Sequence, residues 1–169
     1  MTTVYMLVGV PGSGKSTWIK NQNFEDVIIA SSDDYIDRIA EQTGKTYNEV
    51  FSRAIGYAQK FVDGQVQSAI NLDKTLVWDQ TNTTAKGRKV KLGRLPNDWL
   101  KICVFFPTPD ADELQRRLDS RVGKSIPKDV MKSMIDNLEM PTLDEGWDQI
   151  VIMGDTNAPD YNEQSQEYR

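Results

Sequence analysis

Gly9-Val10-Pro11-Gly12-Ser13-Gly14-Lys15-Ser16-Thr17 stands between the apolar run Val4 to Val8 and the segment Trp18-Ile19-Lys20. The spacing G-x-x-x-x-G-K-[ST], behind an apolar strand and ahead of a segment that continues as helix, is the P-loop signature. Its glycines let backbone N–H groups turn inward around phosphate oxygens with no Cβ in the way. The helix that follows adds its unpaired N–H groups and the positive end of its dipole. In this reading Gly9, Pro11, Gly12, Ser13, Gly14, Lys15, Ser16 and Thr17 bind ATP. Lys15 reaches the β- and γ-phosphates, and the Ser16 hydroxyl holds Mg2+. The alternative is a glycine-rich turn that merely carries a lysine, and the strand–loop–helix context weighs against it.

The chain has 169 residues, a length that predicts one domain with a core of its own. It has one cysteine, Cys103, so an internal disulfide and a cysteine zinc cluster are excluded. Cys103 lies in the apolar run Ile102–Phe106 and is read as a buried, inert thiol. There are no histidines, which removes Ser-His-Asp and Cys-His catalysis and every histidine metal site. Any general base must be a carboxylate or a lysine. No apolar stretch approaches the ~20 residues of a membrane helix, and Met1-Thr2-Thr3 lacks a signal peptide's basic flank. The expectation is a cytoplasmic protein without membrane partners, in the host cytoplasm if phage-encoded. The net charge of −5 is unevenly spread. Residues 139–169 hold eight acidic groups and one basic group, so residues 1–138 carry a net +2.

Apolar runs predict strands over Val4–Gly9, Val27–Ala30, Thr75–Asp79, Trp99–Phe106 and Gln149–Met153. Between them, helices are expected over Lys15–Asn21, Tyr35–Gln42, Tyr47–Leu72, Asp110–Leu118 and Lys128–Leu138. In the long helix, Val50, Phe51, Ala54, Tyr57, Ala58, Phe61, Val62, Val66, Ala69 and Ile70 repeat at helical spacing and are read as core. Strands alternating with helices behind a P-loop give an α/β fold: a three-layer P-loop kinase domain with a parallel five-stranded sheet. Gly123 and Pro127 interrupt the helical pattern around Arg117 and Arg121, which predicts a mobile, arginine-bearing helical lid. The domain is expected to span 1–153, followed by a loose acidic tail over 154–169.

Polar residues at a strand's C-terminal end are where ligands bind in open α/β sheets. Ser31-Ser32-Asp33-Asp34 holds that place after the second strand and also suits a helix N-cap. Asp79 ends the third strand in the manner of a Walker B carboxylate and is the second expected Mg2+ ligand, with Ser16. Phosphoryl transfer further needs charge on the moving group and a base for the acceptor. Arg117 and Arg121 answer the first need and Asp33 the second. Arg116 and Arg117 cannot both point the same way, so one of them is structural. The run from Lys86 to Arg94 holds five basic groups and no acid. It is either a solvated face or a phosphate-backbone patch.

Residues 9–18 resemble the P-loop of the bacteriophage polynucleotide 5′-hydroxyl kinase family. So do Asp33-Asp34-Tyr35 and Arg117-x-x-x-Arg121 followed by Ile126-Pro127-x-Asp129-Val130-x-x-Ser133-Met134. Asp79-x-Thr81-Asn82 is similar to the D-x-T-N element of related bacterial end-healing kinases. The ordered set spans about residues 3–152. The resemblance implies that Asp33 is the general base, that Lys15 and Ser16 bind phosphate and metal, and that Arg117 and Arg121 close over the donor nucleotide. Asp33, Lys15 and Arg121 are then the catalytic residues, with ATP and Mg2+ as cofactors. Candidate acceptor contacts are Asp34, Arg38, Thr81, Lys86, Arg88 and Lys89.

Two departures qualify the likeness. The family carries an arginine for the acceptor's phosphate three residues after the base, where this chain has Ile36. The D-x-D-x-T motif of the phage enzyme's phosphatase domain does not occur, so phosphatase activity is not expected. The leading expectation is an ATP-dependent kinase of the 5′ end of DNA or RNA. The alternative acceptor is a nucleoside, another small molecule, or a hydroxymethylated base in DNA. A non-kinase P-loop NTPase is the third reading, disfavoured by the lack of N-K-x-D and by Gln80 after Asp79.

Overall fold

The structure is a computed structural model that describes residues 1–154. The elements run β1 (Thr3–Val8), α1 (Lys15–Gln22), β2 (Ile28–Ser31), α2 (Ser32–Thr43), α3 (Tyr47–Leu72), β3 (Leu76–Asp79), α4 (Ala85–Leu92), β4 (Leu100–Phe105), α5 (Ala111–Asp119), α6 (Lys128–Asp136) and β5 (Gln149–Ile152). A single 3-10 turn, Leu143–Glu145, precedes β5. The expected acidic tail lies, apart from Gly154, outside the described residues.

The five strands form one parallel sheet in the order β2-β3-β1-β4-β5. Alternate residues along each strand face opposite sides, which divides the core in two. Val4, Met6, Val8, Trp78, Cys103 and Phe105 pack with Val62, Val66 and Ala69 of α3 and Leu92 of α4. On the other face Leu7, Val77, Val104 and Phe106 pack with Trp18 of α1. The result is the expected three layers. Register then places the site: Asp79 pairs with Leu7 of β1 on one side and Ser31 of β2 on the other. The loops after β1, β2 and β3 therefore emerge at one edge of the sheet.

The long helix α3 occupies its expected bounds. Its start is a capping box, in which the Thr46 side chain accepts from Glu49 N and the Glu49 carboxylate accepts from Thr46 N. Its buried stripe is Val50, Ala54, Ala58, Val62, Val66 and Ala69. Two residues expected in that stripe are not core. Phe51 is 41% and Tyr57 63% exposed, because each lies one position off the i, i+4 row.

Between α5 and α6 the two arginines of the expected lid fall on different segments. α5 ends at Asp119, and Ser120 N donates to Arg116 O as its cap. Arg121 therefore sits in the link that follows and not on the helix with Arg117. Gly123 turns the link at φ +71°, a conformation that favours glycine. The link is fastened to the start of α3: Asn48 N donates to Gly123 O at 3.2 Å, and Ser125 N to Asn48 Oδ1 at 3.2 Å.

Candidate active site

The loops at the sheet edge and the α5–α6 link enclose a cleft of about 1720 Å³. Its lining brings together Pro11 to Thr17 of the phosphate loop with Asp33, Asp34, Asp37, Tyr47, Phe51 and Ile55. Asp79, Gln80 and Thr81 after β3 and Arg117, Arg121 and Lys124 also line it.

The loop 9–15 is a cradle with no room to spare. A Cβ added to Gly9 would stand 2.6 Å from Ser13 Oγ and 3.0 Å from Phe106 Cβ. Gly12 and Gly14 have φ of +83° and +108°, which keeps the backbone N–H groups turned inward. Lys15 Nζ lies across the loop and donates to Gly9 O at 2.8 Å and Val10 O at 3.0 Å. Burial pulls its pKa down to about 8, against the opposing pull of Asp79 and Asp33. Among the described residues, Ser13 Oγ and Arg121 Nη1 are buried beside the cleft without a hydrogen-bond partner. A cradle of inward amides, a lysine and an unpartnered guanidinium nitrogen fits a polyphosphate.

The donor set also fits Mg2+, which keeps several waters and uses few protein ligands. Among the described residues no cluster of three metal-ligating side chains occurs. Ser16 and Asp79 line the same cleft. Burial raises the Asp79 carboxyl to about 6, and neighbouring Asp34 and Asp33 add to this while Lys15 opposes it.

Asp33 stands in the first turn of α2. Ser31 is both the last residue of β2 and the N-cap, its side chain accepting from Asp34 N, so cap and ligand-facing edge coincide here. Tyr47 Oη donates to Asp33 Oδ1 at 2.6 Å, and Arg121 Nη2 lies 4.0 Å from Asp33 Oδ2. Lys124 Nζ donates to Asp37 Oδ2 at 2.6 Å and sits 4.7 Å from the centre of the Tyr47 ring. Burial, with Asp37 and Asp33 close by, raises the Asp34 carboxyl above its ordinary value.

Glu113 separates the two adjacent arginines. Arg116 pairs with it from the solvent side, while Arg117 donates to Glu113 Oε1 at 2.7 Å and to Gly12 O at 3.1 Å. Hydrogen bonds from Arg116 and Arg117 hold Glu113 at about 2. Arg117 is thus bonded to the phosphate loop itself.

Several expected acceptor contacts stand elsewhere. Arg88 corrects the reading of the basic run as a phosphate patch, because its side chain is fully buried. It pairs with Glu145 through two bonds of 2.7 and 2.8 Å and donates to Asn82 O and Thr83 O. An isolated guanidinium cannot be buried, so a distant carboxylate supplied its partner. Lys86 and Lys89 are exposed on α4, outside the cleft lining. Arg38 also lies outside that lining, its guanidinium 5.4 Å from the centre of the Phe61 ring. Asp34 and Thr81 do line the cleft. Ile36, where the phage kinases carry an arginine, is fully buried with Ala40, Val50, Ala54 and Ala58. Sequence reasoning passed over Tyr47 and Lys124, which reach Asp33 and Asp37 across 14 and 87 residues of chain. No local pattern signals either contact.

The chain is 26% identical over 159 residues to the bifunctional polynucleotide phosphatase/kinase of Schizosaccharomyces pombe. The match covers 87% of this chain and 32% of the relative, so the chain spans about a third of that protein's length. Among solved structures, a Chloroflexus aurantiacus protein provisionally assigned as a kinase matches with a TM-score of 0.66 at 16% identity, over 99% of this chain and 94% of that one. Shikimate kinase from Acinetobacter baumannii matches with a TM-score of 0.52 at 19% identity, over 99% and 91%. These likenesses are of fold: the sheet and helices are those of P-loop kinase structures. The AAA domain family model matches residues 4–141, well over half of the chain, and the chain belongs to that family.

Proposed function

We propose that the chain is an ATP-dependent kinase of an alcohol acceptor, and that the acceptor is the 5′-hydroxyl of a polynucleotide. One observation carries the reading: the phosphate cradle and Asp33 line one cleft, and Arg121 of the link lies 4.0 Å from the Asp33 carboxylate. Such a cleft brings donor, acceptor and base together, which supplies much of the catalysis in phosphoryl transfer. The acceptor's O–H bond breaks and its proton passes to the Asp33 carboxylate. A bond forms from that oxygen to the γ-phosphorus as the bond to the β–γ bridging oxygen breaks, and ADP leaves with the electron pair. Lys15 and Arg121 offset charge on the transferring group. Arg117, bonded to Gly12 O, orders the loop that holds the donor. Mg2+, held by Ser16 and Asp79, would supply further charge neutralisation when bound. The polynucleotide phosphatase/kinase relative supports the choice of acceptor.

A second reading is favoured by the acceptor wall. It holds Asp33, Asp34 and Asp37 against Lys124, which is already paired, and Ile36 is sealed in the core. A wall of that charge suits a hydroxyl with no phosphate beside it, as in a nucleoside, another small molecule or a hydroxymethylated base within DNA.

The test is transfer of labelled γ-phosphate from ATP to a 5′-hydroxyl oligonucleotide, with Asp33→Asn and Lys15→Ala proteins alongside and a nucleoside as competitor. Transfer to the oligonucleotide that both substitutions slow about a hundredfold or more supports the leading reading. Transfer only to the competitor, or only to hydroxymethylated DNA, selects the second. Hydrolysis of ATP with no acceptor at all would overturn both.

A further inference from the structure

We propose that Tyr47 is a positioning residue for the proton-accepting carboxylate: its phenol holds Oδ1 of Asp33 and so presents Oδ2 to the acceptor hydroxyl. The proposal rests on the reading of Asp33 as base. A free carboxylate has two equivalent oxygens and rotates between them, and each productive encounter must select one. Here the two are already unlike. Oδ1 accepts from the Tyr47 phenol at 2.6 Å, a short charge-assisted bond. Oδ2 faces Arg121 Nη2 at 4.0 Å, too far for a hydrogen bond. Oδ2 therefore retains its acceptor capacity and stands beside a cation.

The phenol is held in place independently of that bond. Tyr47 is the first residue of α3, whose start is set by the Thr46–Glu49 capping box. Its ring packs against Phe51 at 5.7 Å between centroids, and the Lys124 ammonium caps it at 4.7 Å. Lys124 in turn is anchored to Asp37. Burial, then the hydrogen bond and charge of Asp33, push the Tyr47 phenol well above its ordinary pKa, so it remains a donor throughout the physiological range. When the acceptor's proton arrives on Oδ2, Oδ1 becomes the carbonyl oxygen of the acid and still accepts from the phenol. The arrangement is compatible with both protonation states, as a general base requires.

Tyr47→Phe removes the hydroxyl and leaves the ring contacts. We expect kcat to fall about tenfold, the scale of one charge-assisted hydrogen bond, with KM for ATP and for the acceptor unchanged. In an Asp33→Asn background the same substitution should change kcat by less than about twofold, because the group that it orients is gone. Circular dichroism and the urea midpoint check that each variant folds. An unchanged kcat in Tyr47→Phe would overturn the proposal, as would a rise in acceptor KM alone, which would make Tyr47 a substrate contact. Effects that multiply in the double variant would also overturn it, since the two groups would then act independently. If Asp33→Asn instead transfers phosphate as fast as the parent chain, it is the assignment of the base that fails, and the positioning role falls with it.

Discussion

Replacing Glu145 with alanine should destabilise the fold by about 3–5 kcal/mol, the cost of leaving a buried ion without its partner. The structure supports the upper part of that range. The Arg88 side chain has no solvent exposure and that of Glu145 only 2%. Arg88 Nε and Nη2 both bond the carboxylate, which also accepts from Trp147 Nε1 at 3.1 Å and Thr142 N at 3.3 Å. Alanine leaves the guanidinium with the carbonyls of Asn82 and Thr83 alone. With a urea slope of about 2 kcal/mol/M, the unfolding midpoint should drop by about 2 M. Replacing both members, Arg88→Met with Glu145→Leu, should recover most of the loss, because apolar groups of similar volume carry no desolvation cost. The pH dependence has a definite sign. Burial alone would raise Glu145, but the bonds from Arg88 and Trp147 outweigh it and hold the carboxyl below its ordinary value. The stability it contributes is complete above the unfolded pKa, about 4.3, and is lost as pH falls through the lowered value. The parent and Glu145→Ala proteins should therefore converge in acid. A loss below about 1 kcal/mol at pH 7 would refute the reasoning, since it would mean that water reaches the guanidinium as it reaches a surface ion.

Gly9→Ala should weaken nucleotide binding at least tenfold in a fluorescent-nucleotide titration, because its Cβ would lie 2.6 Å from Ser13 Oγ and 3.2 Å from the Phe106 carbonyl; unchanged affinity would show that the cradle yields at little cost. Asp79 has a folded pKa of about 6, so its ionisation opposes folding: stability is greatest below the unfolded value near pH 3.9 and falls as pH rises through 6. In buffer free of nucleotide and Mg2+, Asp79→Asn should gain roughly 2–3 kcal/mol at pH 7 yet need more Mg2+ for transfer, and a variant less stable than its parent would contradict this. Cys103 is buried and its thiol is pushed up to about 12 by that burial, so it should resist iodoacetamide at pH 8 until urea unfolds the chain; rapid labelling of the folded protein would show that the β4 core opens.

The glycine-rich loop that lines the cleft was legible in the sequence because it is built locally. Residues 9–17 form it through their own backbone and one lysine that folds back on Gly9 and Val10. The helix α3 was legible for the same reason, since its cap and its i, i+4 stripe lie within the helix and the residue before it. The failures concern partners that are remote in the chain. Five basic residues without an acid between them read as a solvated face or a phosphate-backbone patch, and neither reading fits Arg88, whose acid lies 57 positions on. In the same run Lys91 is turned inward onto Gln80, 2.7 Å away, where burial lowers its pKa to about 8. Local charge counts measure composition, not direction. The Ser31 cap and the Asp33 carboxylate fell within one legible motif, but the phenol that holds Asp33 comes from another helix.

The same contrast bears on why one sheet and loop can serve unlike acceptors. In this chain the cradle for the donor is backbone, so it tolerates few changes and keeps its spacing. The acceptor wall is side chain, assembled from α2, α3 and the α5–α6 link, which meet through contacts such as Tyr47–Asp33, Lys124–Asp37 and Asn48–Gly123. None of those contacts involves a strand residue. Ile36 illustrates the point: it closes the α2–α3 core three residues after Asp33, so that place on α2 serves packing. On the proposed function, acceptor choice therefore rests on non-local contacts around Asp33, whereas the phosphate loop is built locally. A comparison of acceptors in Phe51→Ala and Ile55→Ala proteins should therefore alter which hydroxyl is phosphorylated while leaving ATP binding at the level of the parent chain, and a matching loss of ATP affinity would show that the two walls are not separable.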